Sequence, residues 1–341
     1  MRIEEYLRQL CRENGPSGFE TAVTERAEEL MRPFVDEVRR DVMGNLFGIR
    51  RCGKPGAKHL LLDAHLDEVG FIVTEITEGF LRFSAIGGVD VRMLPGREVT
   101  VMADEPLYGV IDCLPPHVLT AEQREQAVQL KDLYIDLGLS QAEAEKRVPI
   151  GTPGTFRGDL TSLQGDSISG KALDDRLCAA VLLSTLEELK AEELHDDLTV
   201  MLSTQEEVGC RGAKPGVWSA DPDWCIAVDV TFARTPDCAE PGTFPPGKGC
   251  TIGIGPNANR SITDALIRTA KTEDIPYSLE VLPGNSGTNG WTMQVSRQGV
   301  ATAIVSVPIK YMHSPIETVR LCDAEAAVRL LSGFIRGGAL Q

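Results

Sequence analysis

The sequence predicts an α/β fold in which a mixed sheet with helices on both faces is interrupted by an inserted β-rich unit. Three apolar runs, "LTVMLST", "CIAVDV" and "ATAIVSVP", are typical of buried strands and alternate with helical stretches. Between residues 71 and 164 the pattern changes to short β-type runs separated by glycine and proline. The chain has 341 residues, enough for roughly two domains of ~150 residues each. We therefore predict a discontinuous domain formed by residues 1–70 and 165–341, with residues 71–164 inserted into it.

The N-terminal segment predicts two helices, a hairpin and a buried strand. Ile3 to Leu30 reads as two helices separated by "NGPSGFE", and Ser17 with Glu20 has the pattern of a capping box for the second helix. The stretch "EVRRDVMGNLFGIRR" predicts a strand, a Gly-Asn turn and another strand. In "KHLLLDAHLDEVG" the leucines are consecutive, as expected for a strand buried on both faces of a sheet.

The inserted unit predicts a small antiparallel β-structure. Its first part, "FIVTEITEGFLRFSAIGGVDVRMLPGREVTVMADEPLYGVIDCL", contains several β-type runs broken by turn residues. The link "PPHVL" leads into "AEQREQAVQLKDL", for which we predict a helix, and "DLYIDLG" and "GTPGTF" follow as strands. Exposed strand edges favour association with other chains, so we expect this unit to build an oligomer.

The second segment of the discontinuous domain predicts a long helix followed by alternating strands and helices. The stretch "GKALDDRLCAAVLLSTLEELKAEEL" repeats apolar residues at helical spacing. Asp174 and Asp175 stand at its start, where carboxylates suit the positive end of the helix dipole. Residues from Ser261 to Thr272 predict a further helix.

Composition excludes several classes of function. The formal net charge of −16 argues against nucleic acid as a partner, because phosphate binding needs clustered lysine and arginine. No run of about 18 apolar residues is present, so no membrane span is expected. The N-terminal residues lack the apolar centre of a signal peptide, and nine cysteines are scattered without CxxC pairs. We therefore expect reduced thiols and a cytoplasmic protein.

Histidine and acidic residues follow the predicted buried strands and begin the long helix. They are His65 and Asp67, Asp174 and Asp175, Glu206 and Glu207, Asp229, and His313. In open α/β sheets the ligand crevice lies outside the carboxyl ends of the strands, so we expect these side chains to meet. Imidazole and carboxylate suit Zn²⁺, Co²⁺ or Mn²⁺, and a carboxylate can bridge two metals. Adjacent residues of extended backbone point apart, so one glutamate of the pair would bind metal and the other would be the general base.

Each of these residues alone has a more ordinary explanation. A histidine after a strand is usually structural, Asp174 and Asp175 are suited to a helix cap, and paired glutamates usually lie in a solvated loop. If the ordinary explanations were right, all of these residues would lie at one edge of one sheet by chance. We therefore predict a metal site. His59 and His195 lack such a pattern, and His117 lies in the inserted unit, so we predict no metal role for them.

The motifs "DAHLDEVGF", "GKALDDR", "QEEVGCRGA", "AVDVTFA" and "YMHSPIETV" resemble those of the M42 metallopeptidases, the tetrahedral or TET aminopeptidases, in order and approximate spacing. The stretches "GGVDVRMLPG", "PPHVLTAEQR" and "DLYIDLG" resemble the PDZ-like domain inserted in that family, so the resemblance spans nearly the whole chain. It implies a zinc-peptidase-like catalytic domain, release of N-terminal residues from short peptides, and a homo-oligomer, typically a dodecamer enclosing the active sites.

The resemblance also implies a role for each site residue. Two divalent metal ions, most often zinc or cobalt, would share Asp174 as a bridging ligand. The full ligand set would be His65, Asp174 and Asp229 for one ion, and Asp174, Glu207 and His313 for the other. Glu206 would be the general base, and Asp67 would orient His65.

Three other functions remain open from the sequence. A deacylase of acylated amino acids would use the same metal chemistry. A glycoside hydrolase is a further alternative because some relatives carry an endoglucanase label, although that reaction uses two carboxylates and no metal, and aromatic residues are only 5% of this chain. The third is a shell-forming scaffold without activity, which the presence of all five ligands and the base disfavours.

One loop departs from the family pattern. Relatives often have Gly-Gly-Thr-Asp where this chain has Thr288 and Asn289 in "NSGTNGW". The resemblance places that loop near the first residue of the substrate, so loss of the aspartate would weaken a preference that depends on its charge. We expect a neutral or broad preference for the first residue.

Overall fold

The computed structural model describes residues 3–236, 238 and 242–338. The α-helices are α1 (Ile3–Cys11), α2 (Thr21–Met31), α3 (Ala121–Arg124), α4 (Gln141–Arg147), α5 (Leu173–Leu189), α6 (Ala213–Ala220), α7 (Arg260–Thr272), α8 (Gly290–Met293) and α9 (Leu321–Arg336). Short 3₁₀ helices cover Arg32–Phe34, Val91–Met93, Pro116–Val118 and Leu130–Asp132. None of the described helices is long and apolar enough to cross a membrane.

The strands form one large sheet and one closed barrel. The strands of the sheet are β1 (Glu37–Arg40), β2 (Leu46–Arg50), β3 (His59–His65), β10 (Thr161–Ser162), β11 (Ser167–Gly170), β12 (Asp197–Ser203), β13 (Trp224–Phe232), β14 (Cys250–Ile254), β15 (Tyr277–Val281), β16 (Ala301–Lys310) and β17 (Glu317–Arg320). The strands of the barrel are β4 (Gly70–Thr77), β5 (Phe80–Ile86), β6 (Glu98–Val101), β7 (Leu107–Asp112), β8 (Tyr134–Asp136) and β9 (Pro153–Phe156).

The large sheet is mixed, as the sequence predicts. Its order is β1-β2-β12-β3-β13-β16-β17-β11-β10, with β14 paired to β16 and β15 paired to β14. The central pairs β12–β3, β3–β13 and β13–β16 are parallel, whereas β2, β17 and β11 join the sheet antiparallel to their neighbours. The parallel strands are the apolar runs of the sequence, because a parallel sheet is covered on both faces.

Helices cover both faces of this sheet. Consecutive leucines of β3 show the division: Leu60 and Leu62 lie in an apolar cluster with α1, α2, α5, α7 and α9, whereas Leu61 lies in another with α6 and α8. Successive side chains of a strand point to opposite faces, so the run of leucines in β3 serves two cores at once.

The carboxyl ends of the central strands fall at the same edge of the sheet. The last residue of β3, His65, is opposite Ser203 at the end of β12. In the next parallel pair, Asp229 of β13 is opposite Ser306 of β16. This register brings the residues that follow the strands to a common crevice, as expected for an open α/β sheet.

The inserted barrel has the order β4-β5-β8-β7-β6-β9 and its own core. Phe71 packs against Phe83 and Phe156 at its centre, with ring centroids 5.4 Å and 5.9 Å apart. Closure pairs every barrel strand on both sides, so the expectation that exposed strand edges drive association is wrong.

The predicted domain limits, 1–70 with 165–341 and 71–164, stay a prediction. The barrel strands lie between residues 70 and 156, and β10 at residues 161–162 already pairs within the large sheet.

Two local predictions are corrected. The stretch "AEQREQAVQLKDL" is helical only over α3 and the short turn Leu130–Asp132, and it is largely exposed, so it lacks a packed face that would hold a longer helix. Ser17 does not cap α2, because its hydroxyl donates to Asp67 and the residue at the cap position is Glu20. Long-range contacts have replaced the local capping box.

Candidate metal centre

A cavity of about 380 Å³ opens at the carboxyl edge of the large sheet. Six of the predicted site residues line it: His65, Asp174, Glu206, Glu207, Asp229 and His313. The seventh, Asp67, is fully buried and lies beside His65, with its Oδ1 3.3 Å from His65 Nδ1. The fold thus brings together residues that lie up to 248 positions apart in the chain (313 − 65).

Asp174 lies between the two histidines. Its Oδ1 is 3.1 Å from His65 Nε2, and its Oδ2 is 3.3 Å from His313 Nε2. The side chain reaches this position because the start of α5 is not helical at Asp174, where φ is −77° and ψ is 105°. The two oxygens of one carboxylate therefore face two different imidazoles, which is the arrangement that a bridging ligand requires.

Both histidines present the same ring nitrogen to the cavity because the other nitrogen is held. Nδ1 of His65 lies 3.1 Å from the carbonyl oxygen of Asp67. Nδ1 of His313 lies 2.7 Å from the carbonyl oxygen of Gly88. Each Nδ1–H donates to its carbonyl, so Nε2 is the ring nitrogen that is left to bind a metal.

Asp67 also fastens the two glutamates. Its Oδ1 accepts from the amide of Glu206 at 3.0 Å, its Oδ2 accepts from the amide of Glu207 at 3.1 Å, and the hydroxyl of Ser17 donates to Oδ2 at 2.5 Å. Burial would raise the pKa of Asp67, but His65 and these hydrogen bonds lower it. Neither glutamate lies in a strand, so the expected reason for their divergence, alternation along extended backbone, is wrong.

The glutamate side chains nevertheless have different surroundings. Glu207 Oε2 is 3.3 Å from His313 Nε2, whereas Glu206 Oε1 accepts from the Cys210 thiol at 3.1 Å. The backbone amides of Glu206 and Glu207 both donate to Asp67. The turn that brings these amides together directs the two side chains to different partners. Burial is the largest cause that raises the pKa of both glutamates, and neighbouring carboxylates add to it.

The residues present fit divalent cations. Two sets of donor atoms lie within 4.8 Å of one another: those of His65, Asp174 and Glu207, and those of His65, Asp175 and Asp229. Within the described part of the chain, Glu207 Oε1 and Asp175 Oδ1 are buried without a hydrogen-bond partner. Burial raises the pKa of Asp229 and the surrounding carboxylates raise it further. Such crowding of buried anions is relieved by a bound cation.

The geometry agrees with comparisons to known proteins. A model of the family described as M42 glutamyl aminopeptidase matches residues 44–330. The lysyl aminopeptidase of Pyrococcus furiosus is 32% identical over 340 residues, which cover 97% of this chain and 96% of that relative. The chain belongs to the M42 peptidase family.

Solved structures resemble this M42 peptidase along nearly its whole length. An aminopeptidase from the archaeon Desulfurococcus kamchatkensis superposes with a TM-score of 0.91 at 34% identity, covering 98% of this chain and 94% of its own. A TET1 peptidase of Pyrococcus horikoshii, which can assemble into a tetrahedron or a large octahedral shell, gives a TM-score of 0.85 at 31% identity, covering 98% and 99%.

Sequence reasoning missed Glu317, which shapes the site of this M42 peptidase. Glu317 accepts from the backbone amide of Asp174 at 3.0 Å and from that of His313 at 2.7 Å, so it ties two predicted ligands together. Asp175, which the sequence predicts at this edge without a role of its own, accepts from the amide of His65 at 3.1 Å. Glu317 lies in "HSPIET", four residues after His313, and this short spacing was the one local signal for its role.

The barrel contributes to the same site through Gly87 and Gly88. A Cβ atom on Gly88 would lie 2.9 Å from His313 Nδ1, and one on Gly87 would lie 3.2 Å from the Cβ of Glu207. Residues with a Cβ atom at positions 87 and 88 would displace the side chains of Glu207 and His313, so the loop after β5 needs glycine at both positions. No pattern in the sequence links this loop to His313.

The structure corrects the expectation for Asn289. Its side chain is buried, and Nδ2 donates to Asp63 Oδ2 and to Ser203 Oγ, both at 2.8 Å. The neighbouring residues Gly287 and Thr288 line the cavity, whereas Asn289 points into the protein interior. A substitution at position 289 would therefore change the hydrogen bonds to Asp63 of β3 and Ser203 of β12. Because Asn289 does not face the cavity, the reason for expecting a neutral or broad substrate preference no longer holds.

Proposed function

We propose that this M42 peptidase is an aminopeptidase that uses two divalent metal ions to release the N-terminal residue of short peptides. The observation that carries this proposal is the position of Asp174, whose two oxygens lie 3.1 Å and 3.3 Å from the Nε2 atoms of two histidines. A carboxylate between two imidazole nitrogens is suited to two neighbouring cations.

Five residues would hold these ions: His65, Asp174 and Asp229 on one side, and Asp174, Glu207 and His313 on the other. Nitrogen and oxygen donors of this kind suit zinc or cobalt. When bound, the ions supply Lewis acidity toward the scissile carbonyl and toward a water molecule. The carbonyl groups of Asp67 and Gly88 keep the histidine rings in the orientation that this binding needs.

Glu206 is the residue that we assign as the proton carrier. Its amide is fixed on Asp67, and its Oε1 already accepts from Cys210. Burial raises the pKa of Glu206, so its carboxyl group holds a proton more readily than that of an exposed glutamate. We assign Oε2 as the atom that takes a proton from the attacking water and passes it to the departing amine.

Metal removal tests this function. Stripping the protein with a chelator should abolish hydrolysis of aminoacyl-anilides, and zinc or cobalt should restore it. Metal analysis of the freshly purified protein should give two ions per chain. Full activity in the stripped protein would contradict a metal-dependent reaction. A single ion per chain would contradict only the bridging role of Asp174.

Blocked substrates separate the aminopeptidase from its alternatives. Acetylated peptides should be poor substrates, because an aminopeptidase holds the free α-amine near its metal site. Preference for acetylated amino acids would favour the deacylase. Cleavage of cellulose without cleavage of any anilide would favour the glycosidase, which needs two carboxylates and no metal.

The inserted barrel is proposed to mediate assembly into a homo-oligomer, a dodecamer in the family pattern, and to correspond to the PDZ-like insert. Exposed apolar side chains of the barrel lie on β5 and β7, in the segment after β7 and before β9: Phe80, Tyr108, Val110, Leu114, Val118 and Ile150. Apolar side chains that neighbouring subunits cover would mark the contact surface. Light scattering at micromolar concentration tests the proposal, and a monomer would contradict it.

We also propose that the protein works in the cytoplasm. All nine cysteines are described and none forms a disulfide. Thiols in several buried positions, such as Cys178 and Cys225, are compatible with a reducing compartment. Fractionation of the source cells, with the protein followed by antibody, tests this placement, and recovery outside the cytoplasmic fraction would contradict it.

A further inference from the structure

We propose that Glu280 forms a subsite for a cationic side chain on the first residue of the substrate, so that lysine and arginine are preferred there. This inference rests on the proposed aminopeptidase function and adds the class of substrate to it. Glu280 lies on β15 and lines the same cavity as the predicted metal ligands. Among the described lining residues outside the predicted site, it is the one that carries a charge.

Two threonines hold the Glu280 carboxylate in place. Thr231 of β13 donates to Oε1, and Thr251 of β14 donates to Oε2, each at 2.7 Å. Each carboxylate oxygen can accept a second hydrogen bond, so the group remains able to receive an ammonium or guanidinium donor. A side chain fixed in this way loses little additional conformational entropy when a substrate binds.

The position of Thr231 sets the distance from the metal ligands. Thr231 and Asp229 are two residues apart on β13, so their side chains leave the strand on the same face. Two residues of a strand span about 6.6 Å. Glu280 is hydrogen-bonded to Thr231 and thus lies about one such step beyond Asp229, which is a distance that suits the four-carbon stem of lysine.

The cavity walls suit the rest of a lysine or arginine side chain. Apolar residues line the same cavity as Glu280, among them Leu282, Ile304 and Met312. Long cationic side chains place their methylene groups on apolar surface and their charged ends on polar groups. An acidic first residue would meet the carboxylate of Glu280 in the same place and would be rejected by charge.

A pair of nearly isosteric substrates isolates the charge. Norleucine has the straight carbon chain of lysine without the ammonium group, so the anilides of lysine and norleucine differ mainly in that charge. The wild-type protein, loaded with metal, should cleave the lysine anilide with a kcat/KM about 10- to 100-fold higher, the usual range for a hydrogen bond to a charged group. The variant Glu280→Gln should reduce this ratio to near one, mainly by lowering kcat/KM for the lysine anilide.

A matched control and the remaining outcomes make the test decisive. Glu325→Gln removes an equal charge from an exposed position of α9 and should leave the ratio as in the wild type. Equal loss on both anilides in Glu280→Gln would mean that Glu280 binds the α-amine or supports the fold, and it would overturn the subsite. A wild-type ratio near one would also overturn it while the aminopeptidase function stands. Cleavage of neither anilide would count against the aminopeptidase function itself.

Discussion

Two buried charged clusters lie side by side in this protein, and they differ in how their charge is balanced. The ion-pair cluster consists of Glu68, Lys171 and Arg176. Glu68 accepts from Lys171 at 2.7 Å and 2.8 Å and from Arg176 at 3.0 Å, so two cations surround one carboxylate. The ligand cluster consists of His65, Asp174, Glu207, Asp229 and His313, and it contains more carboxylates than imidazoles.

The pKa of Glu68 shifts in the opposite direction from those of Asp229 and Glu207, whereas the histidines of the ligand cluster lower the pKa of Asp174 although its burial would raise it. Burial would raise the pKa of Glu68, but Lys171 and Arg176 lower it below its usual range. Burial raises the pKa of Asp229 and Glu207, and carboxylate neighbours raise it further. The difference teaches that burial of charge is not itself a sign of function. An excess of one sign, with unpartnered oxygen atoms, is what marks a cation site.

The largest effect is expected within the ligand cluster and its base. Glu206→Gln should lower kcat by about 10²–10⁴ because it removes the proton carrier, while metal content stays near normal. Glu207→Gln should instead lower the occupancy of one metal. Metal analysis and anilide kinetics on both variants test this. Identical behaviour of the two variants would show that the glutamates do not have separate tasks.

The ion-pair cluster should reveal itself through stability. Glu68→Gln leaves Lys171 and Arg176 buried with no full counter-charge, so the free energy of unfolding should fall by about 3–5 kcal/mol. Denaturant unfolding of metal-loaded protein measures it. Glu37→Gln is the control, since Glu37 pairs with Arg51 at the exposed surface, where an ion pair contributes about 0–1 kcal/mol. Equal effects of the two variants would contradict a structural role for the buried cluster.

The contribution of the barrel to the ligand cluster can be measured through metal affinity. Gly88→Ala would place a Cβ atom 2.9 Å from His313 Nδ1, so the ring must move. We expect the affinity for one metal ion to fall by about 10- to 100-fold, as for other partners that orient a ligand. Gly284→Ala is the control, because a Cβ atom at that position would meet no described atom within 4 Å and no change is expected. Unchanged metal titration in Gly88→Ala would show that the barrel does not position His313.

A third buried carboxylate sharpens the comparison because neutral donors hold it. Asp63 accepts from Asn289, and burial raises the pKa of Asp63 to about 7. Asn289→Asp replaces that donor with a second acid, which should lower the free energy of unfolding by about 1–2 kcal/mol. Asn285→Asp, at an exposed position of the same loop, should have little effect. Equal unfolding free energies for Asn289→Asp and the wild type would show that the bond to Asp63 contributes nothing.

The sequence by itself determined the central strands of the large sheet and the predicted ligands at its carboxyl edge. Consecutive apolar residues such as Leu60 to Leu62 mark a strand covered on both faces, and the strand ends then locate His65, Asp229 and the glutamate pair. These are local patterns, with a spacing dictated by the geometry of a strand or helix. The family motifs overlap the same short segments, so the M42 assignment was also within reach of the sequence.

Only the tertiary structure decided which residues support the site. The carbonyl of Gly88 accepts from His313, which lies 225 positions later in the chain. Ser17 donates to Asp67, 50 positions later, and does not form the predicted local helix cap. Asn289 faces Asp63 instead of the cavity, and Glu280 enters the cavity from a strand whose alternation predicts no charge partner. Such contacts depend on how distant elements pack, and a local sequence pattern holds no record of that packing. The closed barrel is a further case, because closure depends on the pairing of its first and last strands, β4 and β9, which are far apart in the chain.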